Sequence, residues 1–160
     1  TVMNALAMRE ALRARGVTAR VFSGLPMPTV ADTFNQRDAA EAFARDGVVL
    51  FAGGLGTPFL TTDTTAAMRA SEMRCDAILK ATNVDGIYTA DPKKDPTATR
   101  FDRLTFDEAI RRDLKVLDTA AFALARDNGI PIIVFSAQEP GALIDVLTGT
   151  GKATVVAGRD

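Results

Sequence analysis

The sequence predicts an α/β domain built on a mostly parallel sheet, and three observations carry that reading. The run Val48-Val49-Leu50-Phe51-Ala52 is apolar without alternation, as expected of a parallel strand covered on both faces. A glycine-bearing loop, a helical stretch and a short apolar run follow it at once, which makes a strand–helix–strand unit. Helical and extended segments alternate along the rest of the chain, and no internal repeat, low-complexity tract or second linker interrupts them. With 160 residues, the chain has the length of one domain, and residues 1–160 are expected to form it.

A helical period from Thr1 to Arg15 is closed by Gly16 and leads into the alternating segment Val17 to Ser23, which reads as a strand. Pro26 and Pro28 then interrupt the chain. Residues 36–45 carry Ala39, Ala40, Ala42 and Phe43 at helical spacing before Asp46-Gly47 stops them. After the apolar run, Gly53-Gly54-Leu55-Gly56-Thr57-Pro58 is a loop, and Thr61 to Arg74 a helix with Ala66, Ala67, Met68 and Met73 inward. Ala77-Ile78-Leu79 is a short buried strand. From Thr82 to Arg100 the composition shifts to Asp, Pro, Lys and Thr, which predicts an ordered excursion at the surface. Helices at 106–112 and 119–128, a strand at 130–135, a helix at 141–147 and an edge strand at 153–156 complete the chain. Because helical spacing begins at Thr1 rather than after a Met, the chain reads as starting inside a larger gene product; the alternative is N-terminal processing with Thr1 as an N-cap.

Composition narrows the chemistry. Nineteen Lys plus Arg against twenty Asp plus Glu leave a net charge of −1, so there is no global attraction toward nucleic acid or an anionic membrane. One cysteine, Cys75, excludes an intrachain disulfide, and no apolar run has the length of a membrane span, so a reducing cytoplasm is the expected location. There is no histidine, which removes the commonest general base and metal ligand and every Ser-His-Asp or Cys-His arrangement. Catalysis must run on carboxylates, Lys, Arg and backbone dipoles.

Two segments hold candidate chemistry. Glycines straight after a buried strand let the backbone approach a ligand, and free N–H groups at the next helix start favour anions, so residues 53–65 suit a phosphate cradle. The segment matches neither the Walker loop nor the dinucleotide fingerprint, and a plain βα turn accounts equally well for the glycines alone. Asp63, among four threonines at a helix start, suits either an N-cap or the orientation of charged groups at a phosphate site. The second segment, 79–92, leaves a strand end, where ligands of open α/β sheets bind, and offers Lys80, Thr82, Asn83, Asp85, Tyr88 and Asp91. Tyr88, the sole tyrosine, suits stacking on a base or packing within its loop. Cys75 beside Arg74 has the setting for a lowered thiol pKa, though a lone thiol is more often inert. Met3, Met8, Met68 and Met73 read as core filler, Lys93-Lys94 as solvated, and Arg111-Arg112 as complementing a helix dipole.

Three stretches carry a resemblance: Gly-Thr-Pro-Phe-Leu-Thr-Thr-Asp at 56–63, Leu-Lys-Ala-Thr-Asn-Val-Asp-Gly-Ile-Tyr-Thr-Ala-Asp-Pro-Lys-Lys-Asp-Pro-Thr-Ala at 79–98, and Lys-Val-Leu-Asp-Thr-Ala-Ala-Phe-Ala-Leu-Ala-Arg at 115–126. In that order and spacing, and with the opening Thr-Val-Met-Asn-Ala-Leu-Ala-Met-Arg, the whole chain resembles the bacterial UMP kinases of the amino acid kinase superfamily. The resemblance implies a three-layer α/β/α sandwich around a mostly parallel sheet, incomplete here at its N-terminus. It implies transfer of the ATP γ-phosphoryl group to UMP in pyrimidine nucleotide biosynthesis, Mg²⁺ dependence, activation by GTP, inhibition by UTP, and a homohexamer assembled as a trimer of dimers.

Carried over by position, Leu55, Gly56, Thr57, Pro58, Phe59, Leu60, Thr61 and Thr62 correspond to the UMP-binding stretch, with Thr61 and Thr62 near the acceptor phosphate. Asp63 corresponds to the acidic residue that organises phosphoryl transfer, and Asp118 opens a helix that approaches the phosphates. Thr82, Asn83, Tyr88 and Asp91 correspond to ATP-side positions. No protein metal ligand is assigned. Leu55 and Thr57 stand where the family often has a threonine and an asparagine, at positions facing the subunit contacts of the GTP response. The family's lysine-bearing first strand, a glycine-rich loop, and an aspartate and an arginine that hold substrates have no counterpart in the 160 residues. On that ground the chain alone is expected to be inactive. A nucleotide-binding or assembly module without chemistry, and a superfamily member with another ligand, are the competing readings.

Overall fold

Parallel strands require a crossover between them, and both sheets of this protein are assembled from such returns. The computed structural model describes residues 1–114 and 116–158. It divides into two compact units, one of residues 1–65 and one from Ala66 onward.

In the first unit, α1 (Val2–Arg13) precedes β1 (Arg20–Ser23), β2 (Asp32–Thr33), α2 (Gln36–Asp46) and β3 (Val49–Ala52). The strand order is β2-β1-β3, all parallel, with Phe22 opposite Asp32 on one side and Phe51 on the other. All three strands therefore end on the same edge of the sheet. Asn35 caps α2 by accepting from the N–H groups of Arg37 and Asp38. Its buried face is Ala39 and Ala42, while Ala40 and Phe43 point outward. The unit's interior is mostly alanine around Val21 and Phe22, and the Phe34 and Phe51 rings meet edge to face at 5.6 Å. Met3 and Met8 are exposed and α1 buries no residue, contrary to their reading as core filler. Thr1 does not use its side chain to cap α1; its hydroxyl accepts from Gly53 N–H at 2.9 Å.

α3 (Thr62–Glu72) leads into the second unit. There follow β4 (Ile78–Thr82), β5 (Arg103–Leu104), α4 (Phe106–Arg111), α5 (Thr119–Asp127), β6 (Ile132–Ser136), α6 (Ala142–Leu147) and β7 (Ala153–Val156). The order is β4-β6-β7-β5; β4 runs parallel to β6 and β5 parallel to β7, while β6 and β7 are antiparallel. The expected mostly parallel α/β arrangement is present, with two changes. β7 is not an edge strand, because the two-residue β5, whose shortness hides it from any periodicity, pairs along its other side. On α3 the apolar inward residues are Ala67 and Ala70, while Ala66 and Met68 are exposed; Met73, just past its end, is half-buried. The core gathers Ile132, Val134, Val156, Phe122, Phe106 and Leu104 with alanines of α3, α4 and α5. No helix among the described residues is long and apolar enough to cross a membrane.

Candidate functional site

The first candidate segment lies where β1 and β3 end side by side. Gly24 follows β1, and its N–H donates to Ala52 O at 2.8 Å, so the two exits leave the sheet joined. A Cβ on Gly24 would lie 2.0 Å from Gly54 O, which only a residue without a side chain allows. Gly53 and Gly54 have φ of 72° and 63°, a left-handed pair that turns the β3 exit around Gly24. Buried Ser23 completes the turn, its hydroxyl accepting from Leu25 N–H at 3.1 Å. Reading the sequence for glycine runs missed Ser23 and Gly24; the available signal was a Ser-Gly pair straight after a strand.

Beyond this junction the chain opens to solvent. Leu55 is half-buried, Gly56 to Thr62 are exposed, and Phe59 is fully exposed with φ 68°. Thr61 is the residue that caps α3: its hydroxyl accepts from Asp63 N–H at 3.1 Å and Thr64 N–H at 3.3 Å. Of the two roles open to Asp63, capping has thus gone to its neighbour. The Asp63 carboxylate sits half-buried in the first turn of α3, where the helix dipole favours negative charge.

The second segment leaves β4 and returns as an ordered excursion, as expected. Thr82 turns the strand end by accepting from Val84 N–H at 3.0 Å, and Asn83 is exposed beside it. The two legs pair across Tyr88 and Arg100 as an antiparallel bridge. Tyr88 donates its hydroxyl proton to Asp85 Oδ1 at 2.6 Å. That hydrogen bond, then partial burial and the Asp85 charge, raises the tyrosine above its ordinary pKa, with Arg100 opposing. Asp91 closes the tip by accepting from Lys93 N–H at 3.0 Å. Lys93 and Lys94 are exposed.

Asp118 is the N-cap of α5, accepting from Ala121 N–H at 2.7 Å. Lys115, which opens the third motif, lies outside the described residues. Cys75 has its pKa raised, by burial first and then by Asp76, so the lowering suggested by Arg74 does not occur. Arg112 pairs with Glu108 at 2.7 Å and lies over the Phe101 ring, beyond its expected role at a helix end. Leu55 to Asp63 thus gather in the first unit at the end of a parallel sheet, and Thr82, Asn83, Tyr88, Asp91 and Asp118 belong to the second. A depression of about 520 Å³ lined by Phe106, Arg126, Asn128 and Pro131 contains none of these residues.

The profile of the amino acid kinase family matches residues 1–136. The chain belongs to the amino acid kinase family. Among relatives of this family member, a protein named uridylate kinase from Rhodopseudomonas palustris (strain HaA2) is 58% identical over 158 residues, 99% of this chain and 66% of the relative. One of the same name from Azorhizobium caulinodans is 56% identical over 156 residues, 98% of this chain and 66% of the relative. The chain therefore spans about 66% of the length of these relatives. Among solved structures, UMP kinase from Ureaplasma parvum superposes with a TM-score of 0.94 at 36% identity, over 99% of this chain and 68% of that one. UMP kinase from Bacillus anthracis gives 0.93 at 35% identity, over 98% and 65%. The amino acid kinase-like α/β fold expected from the motifs is the fold of this chain.

Proposed function

We propose that the whole protein transfers the γ-phosphoryl group of ATP to UMP, giving UDP for pyrimidine nucleotide synthesis. The observation that carries this reading is the stretch from Gly53 to Asp63: a backbone junction with Gly24 at the ends of parallel strands, then an open loop and a threonine-capped helix with a carboxylate in its first turn. Its similarity to proteins named uridylate kinase supports UMP as the acceptor.

Phosphoryl transfer needs donor and acceptor held in line and the charge on the transferred oxygens neutralised, with little covalent chemistry for the protein. A chain without histidine meets that need. UMP binds along residues 55–62, its phosphate toward Thr61, Thr62 and the start of α3, where the dipole favours an anion. A phosphate monoester is already largely ionised near neutral pH, so no general base is required. Asp63 orients the cationic groups around the phosphates. Thr82, Asn83, Tyr88 and Asp91 hold the ATP side, and Asp118 sets the start of α5. Mg²⁺, when bound with ATP, neutralises charge on the donor oxygens. Among the described residues no group of three or more His, Cys, Asp or Glu side chains gathers, and a hydrated ion carried on nucleotide phosphates needs none. A homohexameric assembly, GTP and UTP as effectors, and a cytoplasmic location complete the proposal.

The test is ADP formation by the whole protein with UMP, CMP or AMP as acceptor. UMP-selective turnover supports the reading; nucleotide binding without turnover favours a binding module, and selectivity for another acceptor a different ligand. Asp63→Asn is expected to lower kcat by about two orders of magnitude with little change in ATP affinity, and an unchanged kcat removes the role given to Asp63.

A further inference from the structure

The two legs of the excursion from β4 meet at Ile87 and Phe101, where one backbone bond, Phe101 N–H to Ile87 O at 2.8 Å, closes half of an antiparallel pair. The other half is not made directly. The hydroxyl of Thr154 on β7 stands between the groups, accepting from Ile87 N–H at 2.8 Å and donating to Phe101 O at 2.5 Å. Thr154 is fully buried, and both capacities of its hydroxyl are used on the excursion. β7 is itself pinned on both sides, by β6 through the Val134–Thr154 pairing and by β5.

A second tie runs beside the first. Arg100 donates from Nη1 to Ala153 O at 3.2 Å and to Asp85 O at 3.4 Å. Asp85 is the residue whose carboxylate holds the Tyr88 hydroxyl. Gly86 leaves room for both ties, since a Cβ there would lie 2.5 Å from Thr154 Oγ1 and 2.8 Å from Arg100 Cδ.

We infer that Thr154 is a positioning residue for the ATP side of the site: inserted between Ile87 and Phe101, it locks the excursion that presents Asn83 and Tyr88 to β7. This inference rests on the reading of Thr82, Asn83, Tyr88 and Asp91 as donor-nucleotide residues. Thr154→Val keeps the shape and removes both hydrogen bonds, so the excursion is left to the outer tie from Arg100 to Ala153 O and loses its set position. Thr154→Ser keeps the hydroxyl.

Steady-state kinetics of the whole protein test this. Thr154→Val is expected to raise the KM for ATP about tenfold, the equivalent of a hydrogen bond to a buried group, with the KM for UMP within about twofold of wild type. Thr154→Ser is expected to restore both to within about twofold of wild type. Arg100→Met removes the outer tie with less risk to folding, and is expected to raise the KM for ATP about threefold without moving that for UMP. In this chain, whose one tyrosine is Tyr88 and which has no tryptophan, Thr154→Val should also bring the phenol's ionisation to lower pH, followed by absorbance. Unchanged ATP kinetics in folded Thr154→Val, or in Arg100→Met should the first not fold, overturns the inference alone. Equal loss toward ATP and UMP reduces Thr154 to a general stability role and overturns it too. A wild-type protein without UMP-dependent ATP consumption overturns the nucleotide reading and this inference with it.

Discussion

The turns that end β1 and β3 in the first unit are joined by backbone meeting backbone, whereas the excursion that follows β4 in the second is held by side chains. At Gly24 the approach to Gly54 O is so close that no side chain can enter. Around Thr154, Arg100 and Asp85, hydroxyl, guanidinium and carboxylate groups make the ties. A backbone junction either forms or fails, because its atoms have no rotamers with which to yield. A side-chain clamp can be weakened stepwise. The interiors differ too: mostly alanine around Val21 and Phe22 in the first unit, and larger Ile, Val, Leu and Phe side chains packed with helix alanines in the second.

The largest expected effect tests the second interior. Phe122→Ala should lower unfolding free energy by about 3–5 kcal/mol in denaturant titration, since it removes a fully buried ring from the core. Next comes the junction: Gly24→Val should cost about 3 kcal/mol by overpacking and abolish the proposed UMP binding in calorimetry, while leaving Tyr88 ionisation unchanged. A Gly24→Val protein that binds UMP normally would break the contrast, because the junction would then be deformable.

A smaller effect separates capping from charge at Asp118. Asp118→Ala should lose about 1 kcal/mol by thermal denaturation, while Asp118→Asn, an equally good cap, should lose only about a few tenths. Loss of turnover in Asp118→Asn at wild-type stability would assign its charge a part in the chemistry. The smallest effect is pH-dependent. Because folding raises the Tyr88 pKa, the neutral phenol is the stabilised form. Its contribution is complete below the ordinary tyrosine value of 10.0 and is lost as pH rises through the higher folded value. Asp85→Asn, which removes the carboxylate acceptor, should bring that ionisation back toward 10.0 in an absorbance titration. Cys75, its thiol raised by burial and by Asp76, should react with an alkylating reagent more slowly near neutral pH than a free cysteine does.

Elements whose signal is local were legible in the sequence. The run at 48–52 is β3, the stretch at 36–45 is α2, and the polar segment after β4 is an ordered excursion, because apolar period, turn residues and caps act over a few neighbours. The segment from Leu55 to Asp63 was visible for the same reason, its glycines and threonines lying next to one another. Contacts between residues far apart in sequence were not legible. β5 and β2 are two residues each and exist only through a partner strand, which is also why β7 is not at an edge. The methionines of α1 share a helical period, but period alone does not say whether another element covers that face, and they are exposed. Gly24 acquires its importance from Gly54, thirty residues on, and Thr154 from Ile87 and Phe101, more than fifty residues before it. The sequence by itself determined the alternation of helices and strands and the chemical groups available to the proposed phosphate site. Only the tertiary structure decided that Thr61 rather than Asp63 caps α3 and that a buried hydroxyl on the last strand holds the excursion, because a hydrogen bond depends on distance in space.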